Sequence, residues 1–142
     1  MPGLRGDFSR NLLERGADVE DMSEKGLFLE HERLDVYRAA LAFDALASKS
    51  MPKRGYRELR QQLDRASIGI VLCIAEGAGR RSGPDKRRFY EMARGSALEC
   101  AAVFDVLRGR GLVLPESHAE GRLLLIRIVQ MLTRLSGAPR EP

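Results

Sequence analysis

An all-α fold, an antiparallel up-down four-helix bundle behind an N-terminal extension, is what this sequence predicts, and three observations predict it. Apolar residues recur at the three- and four-residue spacing of a buried helical stripe in four separate stretches. The breaks between these stretches are short and carry Gly or Pro, which favours antiparallel neighbours. No run alternates with the period of a strand and no segment repeats, while 6% aromatic content without Trp suits a helical protein better than a sandwich or barrel. A chain of 142 residues can bury a core as one domain without staples.

Residues 1–30 read as an acidic extension, mobile or docked on a partner, and residues 31–142 as the bundle domain. The extension mixes Gly, Asp, Glu and Ser, and its single helical candidate, Phe8 to Arg15 with Leu12 and Leu13, is too short to stand alone in water. The first helix is expected from Glu32 to about Ser48. Leu34, Tyr37 and Leu41 form its stripe, with Val36, Ala40, Phe43 and Ala47 on an adjoining face. Ser50 to Gly55 breaks it, because Pro52 disfavours helical geometry in the residue before it.

A second helix follows from about Tyr56 to Ala78, with Leu59, Leu63, Ala66, Ile70, Cys73 and Gly77 as its stripe. Beyond Ser67 it is apolar nearly all round, so it lies at the centre of a bundle or another subunit covers it. Gly77, Gly79 and Gly83 end that helix, and Ser82 with Pro84 starts the third as cap and first-turn residue. The third reaches about Arg108 along Phe89, Met92, Ser96, Cys100, Val103 and Leu107, and Gly109 and Gly111 stop it. After Pro115 a fourth helix carries Leu124, Ile128, Met131 and Leu135, with Leu125, Val129 and Leu132 beside them.

Charge divides the chain. Residues 1–30 hold four Lys/Arg against seven Asp/Glu, a balance of −3, and residues 31–142 hold twenty against thirteen, a balance of +7. A basic body suits phosphate-rich partners, although excess cations also serve solubility. The N-terminus lacks the apolar core of a signal peptide and no stretch is apolar enough for a membrane helix, so the expected compartment is the cytoplasm, without membrane contact. Cys73 and Cys100 lack the spacing of a zinc or redox motif and read as small core residues, too far apart along a helical hairpin to pair.

No catalytic residues, cofactor or metal ligands are expected. His31 and His118, the two histidines, lie far apart and beside no Ser or Cys nucleophile motif. Glu76 and Glu99 fall several turns apart, and Glu76 one turn before Arg80 reads as an ion pair or cap. The Glu and Glu-x-x-His set of bundle metal sites is missing.

The turn EGAGRRSG resembles a phosphate loop only superficially, since it follows a helix and lacks both the GxGxxG and the GKS spacing. Its cations are more informative. Lys86, Arg87 and Arg88 crowd the first turns of the third helix, where the macrodipole disfavours positive charge. With Arg80 and Arg81 across the turn and Arg94 two turns on, they form a candidate nucleic-acid-binding end, with Tyr90 as a stacking ring and Arg57 and Arg60 as weaker additions. A solvated helix end of long side chains is the competing reading.

HERLDVYRAA at His31 to Ala40, LRQQLDRASIGIVLCIAEGAGRRS at Leu59 to Ser82 and FYEMARGSALE at Phe89 to Glu99 resemble the 23S rRNA-intervening sequence protein family of small four-helix bundles. The resemblance spans most of residues 31–135, and its most specific element is IAEGAGR followed by ARGSALE. This chain departs from the usual pattern in the second helix, where Gly69, Val71 and Cys73 replace the family's Ser, Pro and Asn. The Pro irregularity and a buried polar group are thereby lost. The resemblance implies a bundle assembled as a ring, typically a homopentamer, with no established enzyme activity. It extends to the accessory protein of diversity-generating retroelements, which implies contacts with nucleic acid and a reverse transcriptase.

Two functions therefore stand. The first is a non-enzymatic oligomer that binds RNA or DNA through phosphate contacts from the basic turn. The second is an interaction scaffold that docks a partner enzyme through its acidic extension or the apolar sides of the second and fourth helices.

Overall fold

The computed structural model of the chain describes residues 28–137. A 3-10 turn, Glu30–Arg33, precedes four helices: α1 at Asp35–Ser50, α2 at Arg57–Gly79, α3 at Gly83–Gly109 and α4 at Pro115–Leu135. Each helix packs against its neighbours in sequence, and α4 closes the ring on α1. The result is an all-α up-and-down bundle, with no strand among the described residues. The helical candidate at Phe8 to Arg15 and the C-terminal residues 138–142 lie outside the described residues.

Local chemistry accounts for the boundaries. Glu32 belongs to the 3-10 turn rather than to α1, because Leu34 is extended (φ −86°, ψ 125°) and separates the two. The Glu32 N–H donates to the Leu29 carbonyl at 3.0 Å, and the Glu32 carboxylate accepts the Leu29 N–H at 3.1 Å. Met51, before Pro52, is extended as a pre-proline residue must be (ψ 143°) and ends α1. Ser82 caps α3, its hydroxyl accepting the Asp85 N–H at 3.2 Å. Gly111 (φ 70°) closes α3 with paired bonds, Leu112 N–H to the Leu107 carbonyl at 2.8 Å and Gly111 N–H to the Arg108 carbonyl at 3.1 Å.

The core centres on Phe43 and Phe104, whose rings lie 5.2 Å apart, with Leu63, Ile70, Ile74, Leu107, Ile128 and Leu132 fully buried around them. Two glycines set helix spacing. A Cβ on Gly121 would collide with the Phe104 ring, and one on Gly77 would sit 2.8 Å from the Tyr90 ring. Cys100 is buried and Cys73 half-buried, and both are free thiols.

Three stripes differ from expectation. In α1 the buried side is Val36, Ala39, Ala40, Phe43 and Ala47, while Leu41 is exposed and Leu34 and Tyr37 are half-buried. In α3 Met92 points outward and the core runs through Tyr90, Ala93, Ala97, Cys100 and Phe104. In α2 Ile68 and Leu72 are 47% and 55% exposed, so the segment beyond Ser67 is covered on one side only within this chain. Where apolar residues are abundant, several overlapping stripes satisfy helical spacing. Packing selects the one whose small residues, here Ala39, Ala40, Ala93 and Ala97, let neighbouring helices approach closely.

Candidate nucleic-acid interface

The six basic residues singled out by sequence all lie at or near the end where α2 finishes, α3 begins and α4 finishes, and they fall into two sets. Lys86 Nζ donates to the Ala78 carbonyl at 2.8 Å and to the Gly77 carbonyl at 3.4 Å. Arg87 Nε donates to the Ser136 carbonyl at 2.9 Å, and Arg94 Nε to the Thr133 hydroxyl at 3.1 Å. Lys86 and Arg87 thus serve the C-termini of α2 and α4, where unpaired carbonyls and the negative end of the macrodipole favour cations. Their position at the N-terminus of α3 is explained by antiparallel packing, which sets that N-terminus beside two C-termini.

The second set faces outward. Arg80 lies over the Phe89 ring at 4.6 Å from its centroid, and Arg88 lies over the same ring at 4.8 Å. A guanidinium held over a ring keeps N–H donors available at its edge for an anion. The carboxylate of Glu76, 3.8 Å from Arg80, makes the ion pair expected from their spacing. Arg81 is exposed in the connection between the helices and has no hydrogen-bond or ion-pair partner among the described residues. Two guanidiniums converging on one ring repel each other, and a bound anion relieves that repulsion.

Tyr90 is not the stacking ring. It is 5% exposed and packed against Gly77, and burial, with the Glu30 carboxylate adding to it, raises its hydroxyl above the ordinary tyrosine pKa. Phe89, assigned by periodicity to the core stripe, is the ring that organises the cations. The signal was its place directly after three basic residues and nine positions after Arg80, which a hairpin reversal folds together. Arg57 and Arg60 lie at the opposite end of α2, and Arg60 donates to the Pro52 carbonyl.

His118 Nε2 lies 2.9 Å from Asp105 Oδ1, and His31 sits edge-on to the Tyr37 ring at 4.6 Å. Among the described residues no group of three or more His, Cys, Asp or Glu is arranged to hold a metal, and no helix is long and apolar enough to cross a membrane.

Comparison with curated proteins gives no match. A family model described as 23S rRNA-intervening sequence protein matches residues 32–134, which takes in the 3-10 turn from Glu32, the basic turn and all four helices except the last residue of α4. With the match covering the whole bundle but the last residue of α4, the chain belongs to the 23S rRNA-intervening sequence protein family.

Proposed function

We propose that this chain is a non-enzymatic cytoplasmic homo-oligomer that binds RNA or DNA through phosphate contacts from the turn between α2 and α3. Arg80, Arg81 and Arg88 make the contacts. Lys86, Arg87 and Arg94, held by internal acceptors, add positive field and keep the turn in shape. The observation that carries this reading is the pair of guanidiniums over Phe89 at 4.6 and 4.8 Å, beside an unpartnered Arg81. The +7 balance of residues 31–142 supports it.

Assembly multiplies such contacts. Ile68 and Leu72 on α2, Leu98 on α3 and Leu123 and Ile126 on α4 are 41–70% exposed, more apolar surface than a lone small bundle needs to show. The family resemblance favours a pentameric ring, and repetition of the basic turn around it raises affinity by avidity. A second reading, docking of a partner enzyme such as a reverse transcriptase, is favoured by the apolar groove between α3 and α4 lined by Leu98, Ala101, Ile126 and Val129.

Binding of the purified protein to labelled RNA and DNA across a salt series tests the proposal. Counterion release predicts a steep loss of affinity with salt. The Arg80→Gln/Arg81→Gln/Arg88→Gln variant, with an unchanged assembly state, is expected to lose most of that affinity. Absence of wild-type binding at low salt would overturn the reading.

A further inference from the structure

We infer that the connection between α1 and α2 is a second contact surface, one that takes single-stranded nucleic acid by stacking a base on Tyr56. The inference rests on the nucleic-acid reading above and adds a surface at the other end of the bundle.

Tyr56 is 48% exposed, and among the described residues its ring stacks on no neighbour and its hydroxyl has no hydrogen-bond partner. Its backbone is left-handed (φ 54°), directly after Gly55 (φ 77°), and it is the one non-glycine residue with positive φ among the described residues. An aromatic residue in that conformation carries a local energy cost, so the exposed ring is held out at some expense to the fold.

The surrounding charge is mostly positive, with Asp64 lining the same pocket as Lys53 and Arg60. Lys53, Arg54 and Arg57 are exposed and without a side-chain partner among the described residues, whereas Lys86, Arg87 and Arg94 at the other end are occupied. Arg60 donates to the Pro52 carbonyl and fixes the connection against α2. Because the helices alternate in direction, the α3–α4 connection comes to the same end and brings exposed Arg108 and Arg110 with it. Glu58 and Glu116 are the acidic residues in the first turns of α2 and α4, and they offset part of this charge.

Free cations on either side of an unpartnered aromatic ring are the elements of a single-strand platform. The cations follow the phosphates, and the ring accepts any base face without reading sequence. A duplex keeps its bases stacked on one another and gains nothing from the ring.

The test compares a 12-nucleotide single strand with a duplex of the same length, using wild type, Tyr56→Asn and Tyr56→Phe. Asn tolerates the left-handed conformation, so the ring is removed without disturbing the connection. Tyr56→Asn is expected to weaken single-strand binding at least 5-fold and duplex binding less than 2-fold, with Tyr56→Phe near wild type. Equal single-strand affinity for Tyr56→Asn and wild type, or equal losses on both ligands, would overturn this surface while leaving the basic turn standing. Failure of wild type to bind either ligand overturns both readings.

Discussion

Lys86 Nζ, on the first turns of α3, donates to the Ala78 carbonyl at the end of α2 at 2.8 Å. A cation that a single helix would disfavour is therefore a cap for the helix beside it. Lys86→Gln is expected to lower unfolding free energy by about 1 kcal/mol, from the lost charged bond and dipole contact. Urea denaturation measures it, and the same variant should keep most nucleic-acid affinity if the outward arginines carry binding. A large affinity loss with unchanged stability would reverse that division of roles.

Phe89 links the fold to the proposed interface. Phe89→Leu keeps an apolar side chain in the pocket but removes the ring beneath Arg80 and Arg88. The expected result is a loss of about 1 kcal/mol in stability and a several-fold weaker nucleic-acid complex. Thermal unfolding and a binding titration on one preparation separate the two effects.

Gly121→Ala drives a methyl group into the Phe104 ring. The ring is buried against Phe43 and has little room to retreat, so a loss of about 1–3 kcal/mol is expected. A cost below about 0.5 kcal/mol would mean that α4 slides freely on α3, contrary to the packing described.

Ile68 and Leu72 lie one turn apart on the outward side of α2. Ile68→Glu/Leu72→Glu is expected to dissociate the proposed assembly without loss of helical circular dichroism, since both side chains are exposed. Light scattering reads the mass, and an unchanged mass would move the interface to another face.

Burial pushes the Cys100 thiol up to about 12 from 9.0, with Glu99 and Asp44 adding to it. Its folded pKa exceeds its unfolded one, so the unfolded chain releases this proton first as pH rises. Stability is then expected to fall between about pH 9 and pH 12, by up to about 1.4 kcal/mol per pH unit from this group. Cys100→Ser against wild type in alkaline urea titrations isolates the contribution, because serine does not ionise there.

The helix count and most boundaries were legible because local rules set them. Ser82 with Pro84 announced the start of α3, and Gly111 its end, through backbone chemistry that needs no distant partner. The facing of Met92 and Tyr90 was not legible, since both satisfy helical spacing and only the close approach of Gly77 decides which turns inward. The candidate site was half legible. The six cations were named from sequence, but Lys86 and Arg87 find acceptors eight and forty-nine residues away, which no reading of one helix could anticipate. Tyr56 carries no signal of its own in the sequence, because the segment before it reads only as a helix break.

The 23 residues of α2 hold the Arg80 turn and the Tyr56 connection about 34 Å apart. That helix is a ruler. A strand that keeps its bases stacked advances about 3.4 Å per nucleotide, so about ten nucleotides separate what the two ends of one bundle can touch. Single strands much shorter than that engage one end at a time, and affinity plotted against strand length should step upward near ten nucleotides.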